Sequence, residues 1–118
     1  MNLLQLFQWQ RSEYPKFHGN KTNLVLHLFA VPLFIAASVL LVHAVFMRAW
    51  IRALLALLAL ITSMMIQGRG HKMEEIPPEP FTGPLNFVAR FFLEQFITFP
   101  LFFLSGGWFG NLRTPRPT

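Results

Sequence analysis

The chain has 118 residues, of which 53% are apolar and only 13% charged, and its formal net charge is +5. This composition excludes an ordinary soluble domain, and the scattered basic residues do not form the patch that a nucleic-acid-binding protein needs. Cysteine and aspartate are absent, so disulfides, thiolate-bound zinc and iron–sulfur clusters are excluded. Any metal would have to bind histidine and glutamate.

The first ten residues predict a short helix at the membrane interface. Leu3, Leu4 and Phe7 share one helical face, and the neighbouring Trp9 is a residue type enriched at interfaces. The dipeptide Tyr14-Pro15 and the polar segment GNKTN are typical of turns. They lead into the first long apolar segment.

Two apolar segments predict a helical hairpin. From Thr22 to Met47 there are 26 residues without a charged side chain, enough to cross a bilayer core of ~30 Å at ~1.5 Å per residue. We place the first span at about 23–47 and the second at about 49–67. The link MRAW is so short that the second helix must return antiparallel to the first.

Residues 85–104 predict a third helix, either membrane-spanning or re-entrant. The segment is apolar but contains Arg90, Glu94 and Pro100. We expect Glu94 to face protein and to pair with Arg90 one turn earlier. Residues 105–118 predict a tail that touches the interface through Trp108 and is then disordered. The whole chain, 1–118, is thus expected to be one all-α integral membrane domain.

The hairpin brings three histidines to one membrane face. His18 precedes the first span, His27 lies about one turn inside it, and His71 follows the second span. His43 lies sixteen residues beyond His27, roughly 24 Å further along the helix, and therefore belongs to the opposite face.

Three imidazoles and one carboxylate are the ligands that a non-haem Fe(II) site uses. Glu74 or Glu75 could supply the carboxylate, because they follow His71 by three and four residues. Asn23 lies one turn before His27 and could orient its second ring nitrogen. The alternative is that the histidines are interfacial residues and the two glutamates a solvated loop edge.

Two motifs resemble those of a known family. The first motif consists of polar residues and prolines at fixed spacing: Tyr14, His18, Asn23 and His27, followed by Pro32-Leu33. The second is Gly70-His71 followed by Glu74 and Pro78. Both resemble the motifs of the 2-hydroxy fatty acid dioxygenase family (2-hydroxypalmitate dioxygenase type), formerly a domain of unknown function. The stretch 81–108, with FTGPL, EQF and LSGGW, resembles a short bacterial branch of it.

The resemblance implies an Fe²⁺-dependent enzyme of fatty-acid α-oxidation, which converts a 2-hydroxy long-chain fatty acid and dioxygen to an acid one carbon shorter. It implies catalytic and metal-binding roles for His18, His27 and His71, with Glu74 or Glu75 as the fourth ligand. Tyr14 and Asn23 would support these ligands. The substrate chain would lie among membrane lipids, and three nearby cations could attract its head group: Lys21, Arg69 and Lys72.

The distribution of basic residues predicts the orientation. Six are expected on the histidine side (Arg11, Lys16, Lys21, Arg69, Lys72, Arg90) and four on the other (Arg48, Arg52, Arg113, Arg116). By the positive-inside rule the histidine face is then cytoplasmic, in a bacterial inner membrane. A homodimer is compatible with so small a unit. The rival hypotheses are a non-catalytic membrane scaffold and a haem carrier with two histidine ligands.

Overall fold

The computed structural model describes residues 2–114, and within this range all regular structure is helical. Five helices follow one another: α1 (Leu3–Phe17), α2 (Lys21–Phe46), α3 (Trp50–Lys72), α4 (Pro84–Leu104) and α5 (Gly107–Arg113). Within α4, Glu94–Thr98 forms a π-helical turn. Helices α2, α3 and α4 are long and apolar enough to cross a membrane. The predicted all-α class, with a helical hairpin and a third apolar helix, is confirmed.

Several predicted boundaries were wrong. Helix α1 continues to Phe17 through the expected turn, since Pro15 in its last turn removes only one helical hydrogen bond. Helix α3 extends five residues past Gln67. The predicted tail instead contains α5, and its last residues, 115–118, where disorder was expected, lie outside the described range.

Small residues bring α2 and α3 close together. Asn23 lies against Gly70, and the Ser63 hydroxyl donates a hydrogen bond to the carbonyl of Ala30, so the two helices are antiparallel. Six buried small residues recur at every seventh position: Ala30, Ala37 and Ala44 on α2, and Ala56, Ser63 and Gly70 on α3. Seven residues make about two helical turns, so each row forms one stripe that permits close backbone approach.

Helices α1 and α4 run side by side in the same direction. The Gln10 amide donates to the carbonyl of Arg90, and further along both helices the Tyr14 ring packs on Phe102. Helix α4 in turn runs antiparallel to α2. Phe34 packs on Phe91, Phe92 and Phe96, whereas His27, two turns earlier on α2, meets Phe99. The end of α4 therefore lies beside the start of α2.

Helix α5 lies against the start of α2. The Trp108 indole N–H donates to the carbonyl of Leu24 at 2.9 Å, and the side-chain amide of Asn111 donates to the carbonyls of Pro15 and His18. Trp108 is buried in the core, not placed at the interface as predicted. Arg113, the last residue of α5, consequently belongs to the histidine end of the molecule, and its expected position on the opposite side was wrong.

Candidate metal centre

The three predicted histidines converge on one carboxylate, that of Glu94. The Nε2 atoms of His18, His27 and His71 lie 3.3, 3.5 and 4.0 Å from Glu94 Oε2. One donor atom from each of the four residues lies within 4.8 Å of all the others. His18, His27 and Glu94 are 4%, 0% and 8% exposed, and His71 is half-buried. We call these four residues the His–Glu cluster.

Backbone contacts fix the orientation of two imidazoles. His18 Nδ1 lies 2.9 Å from the carbonyl of Tyr14, and His27 Nδ1 lies 3.1 Å from that of Asn23. A carbonyl only accepts, so each Nδ1 carries a proton, and in a neutral ring each Nε2 then presents a lone pair. Both Nε2 atoms are buried and have no hydrogen-bond partner among residues 2–114. Two imidazole nitrogens and a carboxylate thus face one another.

This arrangement fits a divalent cation. Ligands at about 2.1 Å from one ion are about 3.0 Å apart at right angles and at most about 4.2 Å apart when opposite. The distances to Glu94 Oε2 fall in that range, and a contraction of about 0.6 Å brings donor atoms 4.8 Å apart within it. The donor set, imidazoles with one carboxylate, suits iron, zinc and manganese.

Tyr14 supports both the carboxylate and one imidazole. Its hydroxyl donates to Glu94 Oε2 at 2.6 Å, and its ring stacks on His18 at 3.7 Å between centroids. Burial raises the pKa of the Tyr14 phenol well above its usual range, and the negative charge of Glu94 raises it further. The phenol therefore remains a hydrogen-bond donor. Tyr14 thus contacts two members of the His–Glu cluster.

Glu94 was not predicted as a ligand. Its expected partner, Arg90, forms no ion pair among residues 2–114 and donates instead to Pro80 and Asn86. The π-helical turn that begins at Glu94 is a feature often found at functional sites. Next to it, Gln95 and Gln67 exchange two side-chain hydrogen bonds and thereby dock α4 on α3. The available signal was a single carboxylate within an apolar segment.

Glu74 and Glu75, the predicted fourth ligands, lie outside the cluster. Glu75 is exposed. The Glu74 carboxylate accepts hydrogen bonds from the backbone N–H groups of Gly19 and Asn20 and from the side chain of Asn23. Because α3 ends at Lys72, Glu74 points to the link between α1 and α2 rather than along the face of His71. It fastens that link to α3.

Asn23 acts differently from the prediction. Its backbone carbonyl, not its side chain, contacts the His27 ring. The side-chain amide donates to Glu74, and its oxygen lies against the Cα of Gly70 with no space for a Cβ between them. Asn23 therefore joins α2 to α3 directly beside the His–Glu cluster.

An apolar cavity of about 300 Å³ opens onto the cluster between α1, α3, α4 and the loop that follows α3. His18, His71 and Glu94 form part of its wall, and the remainder is mostly aromatic or aliphatic: Trp9, Phe17, Met64, Pro78, Phe81, Phe87 and Phe91. Some phenylalanines of α4 thus line a cavity, and others pack against α2.

The cationic residue in this cavity is Arg90. Lys21, Arg69 and Lys72, predicted to attract a substrate head group, are exposed and do not line this cavity. The signal for Arg90 was a charge within an apolar segment, which marks an intramembrane functional site by default. His43 is exposed at the other end of the hairpin, as its spacing from His27 predicts.

No protein-family model, curated protein or solved structure matches this chain. Its function is therefore inferred from its own residues.

Proposed function

We propose that this protein is a membrane-embedded, Fe(II)-dependent dioxygenase that shortens 2-hydroxy long-chain fatty acids by one carbon. The observation that carries the proposal is the His–Glu cluster itself, in which two buried imidazole nitrogens without a partner face a carboxylate. The cluster forms part of the wall of an aromatic cavity, which suits a substrate with an acyl chain.

In this proposal His18, His27, His71 and Glu94 hold the ion. When bound, Fe(II) supplies the redox chemistry that dioxygen requires and an acidic centre for the substrate hydroxyl. The overall reaction, R–CH(OH)–COOH + O₂ → R–COOH + CO₂ + H₂O, balances in atoms and electrons without another reductant. No additional cofactor is needed.

The protein residues orient and protect the site. The backbone carbonyls of Tyr14 and Asn23 keep two imidazole lone pairs directed inward. The Tyr14 hydroxyl holds Glu94 in position and keeps a proton beside the cluster. The apolar wall excludes water from the region where the acyl chain would lie.

We place the His–Glu cluster on the cytoplasmic side of a bacterial inner membrane. Helix α1 carries Arg11 and Lys16. Lys21 begins α2, Arg69 and Lys72 lie in the last turn of α3, and Arg113 ends α5 on the same side. This charge asymmetry supports the orientation by the positive-inside rule.

The main alternative is a non-catalytic membrane scaffold with interfacial histidines. It leaves unexplained why His27 is fully buried beside a carboxylate with a ring nitrogen that has no hydrogen-bond partner among residues 2–114, since such a group is costly in an apolar interior. A haem carrier is disfavoured because the rings of His27 and His71 are in edge contact, with centroids 4.9 Å apart and no plane between them for a porphyrin.

The test combines metal analysis with gas exchange. Protein purified anaerobically with Fe(II) should contain about one iron per chain, and with 2-hydroxypalmitate it should consume dioxygen and release CO₂ in equal amounts. His27→Ala and His71→Ala should lose both properties, whereas His43→Ala, at the far end, should keep them. Folded protein that binds no iron, or iron-loaded protein without oxygen uptake, would contradict the proposal.

A further inference from the structure

We infer that Arg90 is the recognition site for the ionised head of a single-chain amphiphile, so that the cavity selects a free acid over an ester or a neutral lipid. This inference deepens the proposed function and depends on it for its catalytic meaning. Binding itself depends only on the cavity and can be measured without metal.

The guanidinium of Arg90 is held in one place. It lies over the ring of Phe81 at 4.2 Å and over that of Trp9 at 5.1 Å, between the loop after α3 and helix α1. The Gln10 amide holds the Arg90 carbonyl at 2.8 Å and fixes the backbone beneath it. Two aromatic faces and a tethered backbone pre-organise this cation for a ligand.

One edge of the guanidinium is unused by protein acceptors. Nη1 contacts the carbonyl of Pro80 at 3.3 Å and the side chain of Asn86 at 3.5 Å. Across residues 2–114, Nε and Nη2 have no acceptor. A planar fork with free N–H groups is the donor geometry that carboxylates accept in a bidentate manner.

The charges around Arg90 favour an external anion. Glu94 belongs to the His–Glu cluster and accepts from Tyr14. Glu13 also lines the cavity, but it pairs with Lys16 at 3.7 Å. No carboxylate within the described part of the chain lies in ion-pair distance of Arg90. Glu79 lines a neighbouring cavity together with Arg90 but is not within ion-pair distance of it. A cation fixed in a largely apolar wall without a carboxylate at ion-pair distance is complementary to an anionic ligand.

The cavity limits the rest of the ligand to one chain. Its volume of about 300 Å³ is at the lower end of the range for small-molecule pockets, too small for a two-chain phospholipid. Met64 lies two helical turns from His71 along α3 and, with Phe87 and Phe91, gives an alkyl chain an apolar path. A thioester or glyceride would bring a bulky neutral carbonyl to Arg90 instead of a charge.

The experiment uses the metal-free full chain in phosphatidylcholine nanodiscs, with 2-bromohexadecanoic acid as the probe. Its bromine, next to the carboxylate, should quench Trp9, which stacks on Arg90. We expect saturable quenching by the acid at slightly alkaline pH and at least about tenfold weaker binding of its methyl ester, because the ester makes no charge-assisted hydrogen bonds. Equal binding of acid and ester by the wild-type protein overturns the inference, whatever the variants do.

Variants of Arg90 test whether this residue causes the difference in affinity between the acid and its ester. Arg90→Gln should lower affinity for the acid at least about tenfold without changing that for the ester, and Arg90→Lys should fall between them because it keeps the charge but not the fork. Arg69→Gln, an exposed control, should bind like the wild type. Unchanged affinity in folded Arg90→Gln contradicts the inference, as does competition by phosphatidylglycerol, which would assign Arg90 to membrane phosphate.

The experiments can show whether this inference fails, the proposed function fails, or both fail. Acid binding without iron binding leaves this inference standing and removes the dioxygenase. Iron-dependent turnover with equal recognition of acid and ester does the reverse.

Discussion

At the scale of single residues, Glu94 makes several distinct contacts through one oxygen. Its Oε2 accepts a hydrogen bond from Tyr14 and lies within 4.0 Å of three imidazole nitrogens. Glu74 has the same functional group and a position three residues after His71, yet it binds backbone N–H groups. The role of Glu94 can be tested by isosteric substitution.

Glu94→Gln should remove metal binding. The amide has nearly the same shape but no charge, so the histidines lose their anionic partner and the affinity for Fe(II) should fall by more than about tenfold. The measurement is iron content after equilibration with a metal buffer. Glu75→Gln, on an exposed side chain, is the matched control and should bind as the wild type does. An equal loss of iron binding in both variants would mean that Glu94 has no special role in holding the metal.

Tyr14 should make the metal-free protein sensitive to alkali. The folded-state pKa of the phenol is raised above its ordinary value of 10.0, so this contribution to stability is complete below that pH and declines above it as the unfolded chain loses the proton. Tyr14 is the sole tyrosine of the chain, so phenolate absorbance reports on it alone.

We expect that phenolate absorbance appears only together with the loss of helical circular dichroism. Tyr14→Phe should lose less stability than the wild type between neutral and strongly alkaline pH. Phenolate formation near pH 10 in a fully helical protein would contradict the raised pKa.

Part of the His–Glu cluster could be predicted from the sequence. The spacing of His18, His27 and His71 around a short-linked hairpin is enough to predict their convergence, because antiparallel helices return to the same level. Glu94 could not be placed in this way. Its position depends on how α4 docks against α1 and α3, and local spacing suggested Arg90 as its partner.

At the scale of helices, α2 and α3 make a close contact beside the His–Glu cluster. The small residues at every seventh position end at Gly70, where the Asn23 side chain occupies the space of a missing Cβ. His71 is the next residue, so the fit of this contact sets the position of one member of the His–Glu cluster. The hairpin itself was predictable from hydropathy, whereas this closeness follows from a tertiary contact of one glycine.

Gly70→Ala should destabilise the hairpin and disturb the cluster. Its Cβ would collide with the side chain of Asn23, which must then move away from Glu74, at a cost of about 1–3 kcal/mol for overpacking. Iron affinity should decrease in parallel. The measurements are chemical unfolding in detergent and iron content.

Gly68→Ala, on the same helix two residues earlier, is the control. Its Cβ meets no atom within 4 Å, so the variant should gain up to about 1 kcal/mol from better helix propensity. If Gly70→Ala were equally stable, the close contact would be irrelevant to folding.

At the scale of the whole molecule, the cluster joins every long helix. His27 lies on α2, His71 on α3 and Glu94 on α4, and His18 ends α1. A single ion would therefore link helices that otherwise meet through apolar contacts and a few buried amides such as Gln67 and Gln95. Ligand binding to the folded state alone stabilises that state by mass action.

Metal should accordingly raise thermal stability. At a free Fe(II) concentration of about 100 times the dissociation constant, the expected gain is about 2.7 kcal/mol, seen as an increased midpoint of thermal unfolding under anaerobic conditions. A chelator should reverse it, and His27→Ala should show no change with metal. A midpoint that is independent of iron in the wild-type protein would exclude an ion shared by these helices.

The position of α5 makes the sidedness of the protein accessible to a simple assay. Because Asn111 is bound to the carbonyls of Pro15 and His18, the chain at Thr114 lies on the same side of the bilayer as the start of α2. A topology reporter fused directly after Thr114, active in only one compartment, would thus reveal towards which compartment the His–Glu cluster faces.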